Sequence, residues 1–276
     1  MIRIFPRLKP QVWGNEELGK MFGSREKIGE VWLVSGHPLL VTEMEGGLDL
    51  NEDMESLIGK KLPRFPLLIK LISASEWLSV QVHPDDEKAR ELEGEPWGKT
   101  EAWYFLEDGT VALGEDPSEV LKALKNGNWN LALKKIRVGR GTFVFLPAGT
   151  VHALGPGGLL LEVQQASDVT YRIYDWGRPR ETHLEKAAKV MKPCKLKELL
   201  FEGSDRFECE YFTVEIMKDG EVDGFCILIA LKEGKLNGKR VKRFETFLVP
   251  KDSKVRIDTN VFCVKLGKFF ERWDGS

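Results

Sequence analysis

The chain has 276 residues, with 41 Lys and Arg against 43 Asp and Glu, and a formal net charge of −2 at pH 7. Its length allows one large domain or two smaller ones, each able to bury its own core. The near-neutral charge argues against a protein that coats nucleic acid or binds a membrane surface, and 42% hydrophobic with 30% charged residues excludes disorder as the main state.

Short runs rich in Val, Ile, Phe and Trp follow one another along the chain and have the length of strands. They are GEVWLVSG, PLLIKLI, WLSVQVH, TEAWYFLE, GTFVFLPAG, GGLLLEVQQ, VTYRIYDW, YFTVEIM, GFCILIAL, ETFLVP and NVFCVKL. Turns rich in Gly, Pro and Asp separate them. This rhythm predicts a mainly β protein built as a sandwich or a barrel.

Four segments between the strands carry helix signals. The segment NEDMESLIGKK and the segment from Pro84 to Glu93 combine helix-forming residues with charge. Asp116-Pro117-Ser118-Glu119 predicts a capped helix that continues through EVLKALKNG. Thr182 and Glu185 form a second capping box before KAAKVMK, so a fourth helix is predicted with Thr182 as its N-cap.

A change in composition after Pro193 predicts a domain boundary. The charged stretch KLKELLFEGSDR is followed by strand-like runs that contain no histidine. We expect a first domain over residues 1–195, with all four histidines, and a smaller C-terminal β domain over residues 196–276. The second domain is a candidate for a degenerate copy of the first.

The four cysteines lie singly in the last third of the chain and form no CxxC motif. This pattern is typical of reduced thiols rather than of a secreted disulfide scaffold. The opening MIRIFPRLKPQVWG has no apolar secretion signal, and the longest apolar run, Phe225 to Leu231, is too short to span a membrane. We therefore expect a cytoplasmic protein.

Histidines and neighbouring polar residues in the strands suggest a metal site. Gln81 and His83 alternate in SVQVHP, and Lys99 and Glu101 alternate in KTEAW, so each pair shares one strand face. His152 follows the strand FVFLP and a glycine turn. Two imidazoles, a carboxylate and an amide oxygen suit zinc. The alternatives are that the histidines only pack in a core and that Glu101 only pairs with Lys99.

The other two histidines are not expected to bind metal. His183 lies in the first turn of the fourth predicted helix and is expected at the surface. His37 precedes Pro38 at a strand end and is expected to support a pocket. Lys70, at the end of PLLIK, is expected either to face that pocket or to be solvated.

One histidine motif resembles a known superfamily. Gly141, Pro147, Gly149 and His152 fit the Gly-x5-Pro-x-Gly-x2-His pattern of the cupins, although Pro156 stands where the pattern usually ends in Asn. The first cupin pattern is present in altered form, as Gln81-Val82-His83 with a delayed Glu101.

Longer stretches resemble the type I mannose-6-phosphate isomerases, most nearly their short bacterial and archaeal form. In family order they are Trp13-Gly14, Gly29 to Trp32 with Ser35 and His37-Pro38, Pro66 to Lys70, Leu78 to Asp86, Gly98 to Trp103, Pro147 to His152 and Glu162 to Asp175. The resemblance implies a cupin-type jelly-roll β-barrel with a few short helices, one Zn²⁺ per chain, and interconversion of mannose 6-phosphate and fructose 6-phosphate. It implies zinc ligands Gln81, His83, Glu101 and His152, and sugar-facing residues Lys99, Asp168 and Arg172.

The implied reaction moves a proton between C1 and C2 of the open-chain sugar through an enediolate, which fixed positive charge stabilises. Lys99 is a candidate base, and its alternative role is to bind substrate or to balance Glu101. Arg172 offers a planar fork for phosphate or for the enediolate. Its alternative role is to pair with Asp168, which shares its parity in an extended run. Gln81 is the weakest of the four ligands because its amide oxygen is neutral.

Two other functions stay open on the residues alone. One is a non-catalytic cupin that binds or senses a sugar, for which we would expect altered ligands. The other is a metal-dependent oxygenase, in which Lys99, Asp168 and Arg172 would have no task. We expect an isomerase acting on a sugar phosphate, a monomer or homodimer, with no nucleic-acid and no membrane partner.

Overall fold

Antiparallel strands make up most of the protein in the computed structural model, which describes residues 1–273. The strands are β1 (Ile2–Phe5), β2 (Arg7–Asn15), β3 (Ile28–Ser35), β4 (Glu43–Met44), β5 (Leu67–Ile72), β6 (Val80–Val82), β7 (Glu101–Phe105), β8 (Gly109–Gly114), β9 (Lys134–Val138), β10 (Phe143–Leu146), β11 (Val151–Leu154), β12 (Leu160–Gln165), β13 (Tyr171–Tyr174), β14 (Leu200–Phe201), β15 (Arg206–Glu208), β16 (Phe212–Met217), β17 (Gly220–Asp223), β18 (Cys226–Ala230), β19 (Gly234–Leu236), β20 (Lys239–Val241), β21 (Thr246–Val249), β22 (Lys254–Asp258) and β23 (Val261–Leu266). The α-helices are α1 (Glu16–Met21), α2 (Met54–Ile58), α3 (Asp86–Glu93), α4 (Pro117–Asn126), α5 (Trp129–Ala132), α6 (Leu184–Val190) and α7 (Lys268–Arg272). The mainly β prediction is confirmed.

The chain forms two compact units. The larger unit contains Leu8–Val31 and Lys70–Gly203, and the smaller unit contains Met1–Arg7, Trp32–Ile69 and the residues from Ser204 onward. The predicted first domain, residues 1–195, therefore includes two segments that belong to the smaller unit. A change in composition could indicate only the last passage of the chain between units, because the three earlier passages fall inside strands β2, β3 and β5.

Two antiparallel sheets build the larger unit. One has the strand order β13-β6-β11-β8-β9, and the other has the order β14-β10-β7-β12-β5-β3-β2, to which the larger unit contributes residues 28–31 of β3 and 70–72 of β5. Apolar side chains from both sheets share one core, which includes Trp103, Phe105, Val111, Leu113 and Leu146. The polar side chains on the same strands are therefore held on a rigid framework.

Helices cover the outer face of the five-stranded sheet in the larger unit. Val80 and Ala112 of that sheet pack with Val120 of α4 and Ala187 of α6. Helix α4 begins as predicted, because the side chain of Asp116 accepts a hydrogen bond from the backbone N–H of Ser118 at 2.8 Å. The two predicted helices that lack such a capping signature form as α2 and α3.

Helix α6 starts later than predicted. Its first residue is Leu184 and its N-cap is His183, so the assignment of Thr182 as N-cap is wrong. The backbone N–H of His183 donates to the carbonyl of Arg172 at 2.7 Å, and the backbone N–H of Arg172 donates to His183 Nδ1 at 3.1 Å. This exchange with strand β13 keeps His183 out of the helix. The same contacts leave His183 half-buried rather than at the surface.

The smaller unit also contains two sheets. Their strand orders are β15-β16-β23-β18-β21-β1-β4 and β17-β22-β19-β20. A core that includes Val222, Leu228, Phe247 and Val255 joins them.

All four cysteines of the chain are free thiols, in agreement with the prediction. None of the helices among the described residues is both long enough and apolar enough to cross a membrane.

A glycine allows strands β2 and β3 to approach closely within the larger unit. A Cβ atom on Gly29 would lie 2.6 Å from Cβ of Gln11 and 2.6 Å from a ring carbon of Trp13. Real Cβ atoms do not approach so closely, so any larger residue would push the two strands apart. The close approach fixes where the inward side chains of β2 lie.

We expect Gly29→Ala to lower the free energy of unfolding by about 1–3 kcal/mol, because it overpacks this contact. Urea unfolding would measure the change. Gly139→Ala is the control, since a Cβ at Gly139 meets no atom within 4 Å, and its effect should stay within about 0.5 kcal/mol. Equal effects of the two changes would contradict a packing constraint at Gly29.

Candidate active site

Three buried side chains of the larger unit converge on one point. His83 directly follows β6, Glu101 opens β7, and His152 lies in β11. One donor atom of each lies within 4.8 Å of the others. His152 Nε2 is 3.2 Å from Glu101 Oε1, and His83 Nε2 is 3.8 Å from Glu101 Oε2. The structure thus brings together three of the four residues predicted as zinc ligands.

Hydrogen bonds on the far side of each imidazole set its tautomer. His83 Nδ1 donates to the carbonyl of Val169 at 2.8 Å, and His152 Nδ1 donates to the carbonyl of Thr150 at 2.9 Å. Each Nε2 atom therefore presents a lone pair to Glu101, an orientation that is usual for metal-bound histidine. Burial and the charge of Lys99 hold the pKa of His83 well below its usual value, so this ring is neutral.

The three side chains supply no donor to one another. Among the described residues, His83 Nε2 and both carboxylate oxygens of Glu101 are buried without a hydrogen-bond partner, and the nearest ammonium, Lys99 Nζ, lies 3.0 Å from Glu101 Oε2. Lone pairs that face one another in a buried site need a cation between them. Two imidazole nitrogens and a carboxylate are the donors that zinc takes in open, three-residue sites. The residues present therefore fit a zinc ion.

Gln81 lies beside this cluster. It is directly opposite His152 on one neighbouring strand and Arg172 on the other, so the three residues form a row across the five-stranded sheet. Its Nε2 atom is 3.3 Å from His152 Nε2, and its Oε1 atom accepts from the hydroxyl of Ser79 at 3.3 Å. Half a turn of the amide would exchange these atoms and turn the oxygen toward the cluster. Gln81 as a ligand stays a prediction.

A cavity of about 260 Å³ opens beside the cluster. Gln81 and Lys99 line the cavity and also contact the cluster. Five cationic side chains but only three carboxylates line it, so its walls attract an anion. The lining residues are Lys9, Gln11, Trp13, Glu30, Lys70, Ile72, Leu78, Ser79, Gln81, Lys99, Trp103, Glu162, Asp168, Thr170, Arg172 and Arg180.

All three predicted sugar-facing residues line this cavity. Lys99 is buried, and its Nζ atom lies 3.0 Å from Glu101 Oε2. Arg172 is in β13, and Asp168 precedes that strand, but Asp168, Thr170 and Arg172 all line the cavity. Asp168 pairs with Lys9 Nζ at 3.3 Å. Burial alone would raise the pKa of Asp168, but the charges of Lys70, Lys9 and Lys99 hold it below its usual value.

Arg172 is anchored at one end only. Its Nη1 atom donates to the carbonyl of Glu181 at 2.7 Å. It forms no ion pair with any carboxylate in residues 1–273, so the alternative of a pair with Asp168 does not hold. Its guanidinium therefore keeps donors for a ligand.

The remaining histidine, His37, lies in the smaller unit, where its Nδ1 atom accepts from the backbone N–H of Leu39 at 3.2 Å.

A second ion pair in the cavity wall was not anticipated. Lys70 Nζ lies 3.0 Å from Glu162 Oε1 and 3.7 Å from Glu30 Oε2, and Lys70 and Glu162 are both buried rather than solvated. Burial and the charge of Glu101 raise the pKa of Glu162 above its usual value. Glu162 and Lys70 each stand as a lone charge in an apolar strand, and that pattern was a signal for buried, functional residues.

Strand β2 forms another part of the cavity wall that the sequence motifs do not predict. Lys9, Gln11 and Trp13 alternate along it and all line the cavity. Gln11 Nε2 donates to Glu30 Oε1 at 3.3 Å. Their spacing of two residues was visible in LKPQVW, but no motif linked them to the distant histidines.

Comparison with known proteins identifies the family. Residues 1–100 match the family described as phosphomannose isomerase type I, catalytic domain. A mannose-6-phosphate isomerase of Streptococcus mutans is 38% identical over 208 residues, which are 67% of this chain and 66% of that relative. The mannose-6-phosphate isomerase ManA of Bacillus subtilis is 34% identical over 241 residues, 76% of each chain. The chain belongs to the mannose-6-phosphate isomerase family.

The whole fold agrees with this membership. A crystal structure of the mannose 6-phosphate isomerase from Bacillus subtilis is similar with a TM-score of 0.81 and 28% identity, covering 95% of this chain and 98% of that one. The resemblance read from the sequence is confirmed. The similarity also extends beyond residue 200, where no sequence motif could be matched.

We expect His152→Ala to lose bound zinc, because the change removes one of two imidazole donors. Elemental analysis after incubation with zinc and dialysis would measure the metal content. His37→Asn is the control, since its amide oxygen can replace the acceptor Nδ1 and His37 lies outside the cluster. Retention of one zinc per chain by His152→Ala would rule out this site.

Proposed function

We propose that the chain interconverts mannose 6-phosphate and fructose 6-phosphate, with one zinc ion held by His83, Glu101 and His152 and with Gln81 as a weaker fourth ligand. One observation carries the proposal: the lone pairs of two buried imidazoles and one buried carboxylate converge at the wall of a cavity with an excess of positive charge. A sugar phosphate brings both an anion and oxygens that a metal can bind.

When bound, zinc supplies a Lewis acid that favours negative charge on the sugar oxygens. Lys99 is the proposed proton carrier between C1 and C2. Its Nζ atom lies beside the cluster at the end of a flexible side chain, and the burial of Lys99 limits the access of bulk water to it. Asp168, oriented by Lys9, is proposed to face the sugar hydroxyls as an acceptor.

Arg172 is the proposed binding group for negative oxygen. The carbonyl of Glu181 fixes one end of the guanidinium, and no carboxylate among the described residues forms an ion pair with it. A planar cation held in this way suits a phosphate or an enediolate. It also needs no reorganisation when the charge develops.

We also propose a cytoplasmic protein that acts as a monomer or homodimer on a small sugar phosphate. Four free thiols suit a reducing compartment. Sedimentation of the purified chain would give the oligomeric state.

The reaction is tested by adding mannose 6-phosphate to zinc-loaded protein and following fructose 6-phosphate in a coupled assay. Chelation should abolish turnover, and added zinc should restore it. Tight binding of the sugar phosphate without turnover would instead support the non-catalytic sugar-binding alternative.

Arg172→Lys should lower kcat by about 10²- to 10³-fold, because one charge remains but the fork that meets a developing oxyanion is lost. Zinc content should stay at the wild-type level. The control is Arg206→Lys, which alters a pair with Glu208 in the smaller unit. A rise in KM alone would assign Arg172 to phosphate recognition, since ground state and transition state would then lose equal binding.

A further inference from the structure

Trp103 links three parts of the candidate site. It lies two residues after Glu101 on the same face of β7, and it is directly opposite Glu162 on β12. Its indole Nε1 atom donates to Glu162 Oε2 at 2.7 Å in a fully buried hydrogen bond. Its ring packs edge-on against His152, with centroids 5.4 Å apart and an interplanar angle of 82°.

The indole hydrogen bond restricts the Glu162 carboxylate. With Oε2 held by Trp103, the other oxygen, Oε1, forms an ion pair with Lys70 Nζ, 3.0 Å away. Lys70 and Glu162 both line the cavity and both are buried. A buried carboxylate that loses a charge-assisted hydrogen bond must find another partner, and it moves to do so.

We propose that Trp103 is a positioning residue, which holds the Glu162 carboxylate, and through it the Lys70 ammonium, in a fixed place at the cavity wall. The expected effect on kcat rests on the proposed isomerase function, whereas the hydrogen bond between Trp103 and Glu162 does not. Fixed charges matter most where charge develops during the reaction, so their loss acts on kcat more than on KM.

The central variant is Trp103→Phe, which keeps an aromatic ring and removes the donor. We expect kcat to fall by about 10- to 100-fold, the range for one hydrogen bond to a charged group, with KM changed by less than about threefold. Zinc content should be unchanged. The matched control is Tyr171→Phe, which removes a 2.7 Å hydrogen bond from a hydroxyl to the Glu93 carboxylate outside the cavity. Its kcat should equal that of the wild type.

Replacement of Trp103 by 3-benzothienylalanine, which has the indole shape but sulfur in place of N–H, separates hydrogen bonding from packing. This variant should show the same loss of kcat as Trp103→Phe. Wild-type kcat in the isostere, or a kcat of Trp103→Phe equal to that of Tyr171→Phe, would overturn the proposal.

A spectroscopic measurement tests the hydrogen bond without any activity. In ¹H–¹⁵N spectra, the resonance that Trp103→Phe removes should lie downfield and exchange slowly, and Glu162→Gln should move it upfield. No shift in Glu162→Gln would overturn the proposal. If the wild-type chain does not isomerise the sugar phosphates, the proposed function fails, and this spectrum alone decides the role of Trp103.

Discussion

The larger unit has to compensate the negative charge of one fully buried carboxylate. Glu101 has no exposed surface, and burial favours its neutral acid, yet the charge of Lys99 keeps the pKa of Glu101 well below its usual value. An ionised carboxylate in such a place needs positive charge nearby. The Nε2 atoms of the two imidazoles beside it add lone pairs and no compensating charge, because each ring uses its Nδ1–H for a backbone carbonyl. The cluster therefore calls for a metal cation, and the ammonium of Lys99 supplies only part of the compensation.

The strands give this charge cluster its precision. Arg172, Gln81 and His152 lie side by side across one sheet, while Glu101 and Trp103 alternate along a strand of the other. Side chains on paired strands have little freedom to move relative to one another. The arrangement of donors is thus a property of strand register and not of loop conformation, which suits a reaction that depends on fixed charges.

Motifs in the sequence predicted the centre of the site and part of its walls. His83, Glu101 and His152 follow recognisable spacings, and the family resemblance added Lys99, Asp168 and Arg172 of the wall. Lys9 and Gln11 lie far away along the chain and belong to no recognised motif. Pairing of distant strands brings them in, and pairing cannot be read from local pattern. The start of α6 was misjudged for a related reason: a tertiary contact between His183 and Arg172 outweighs the local capping preference of Thr182.

Most cations of the cavity have an internal partner before any ligand enters. Lys9 is paired with Asp168, Lys70 with Glu162, and Lys99 with Glu101. An incoming anion must compete with these carboxylates, so its net affinity is the difference between two favourable interactions. The internal ion pairs therefore keep the affinity of the cavity for an anion below what the same cations would give without partners.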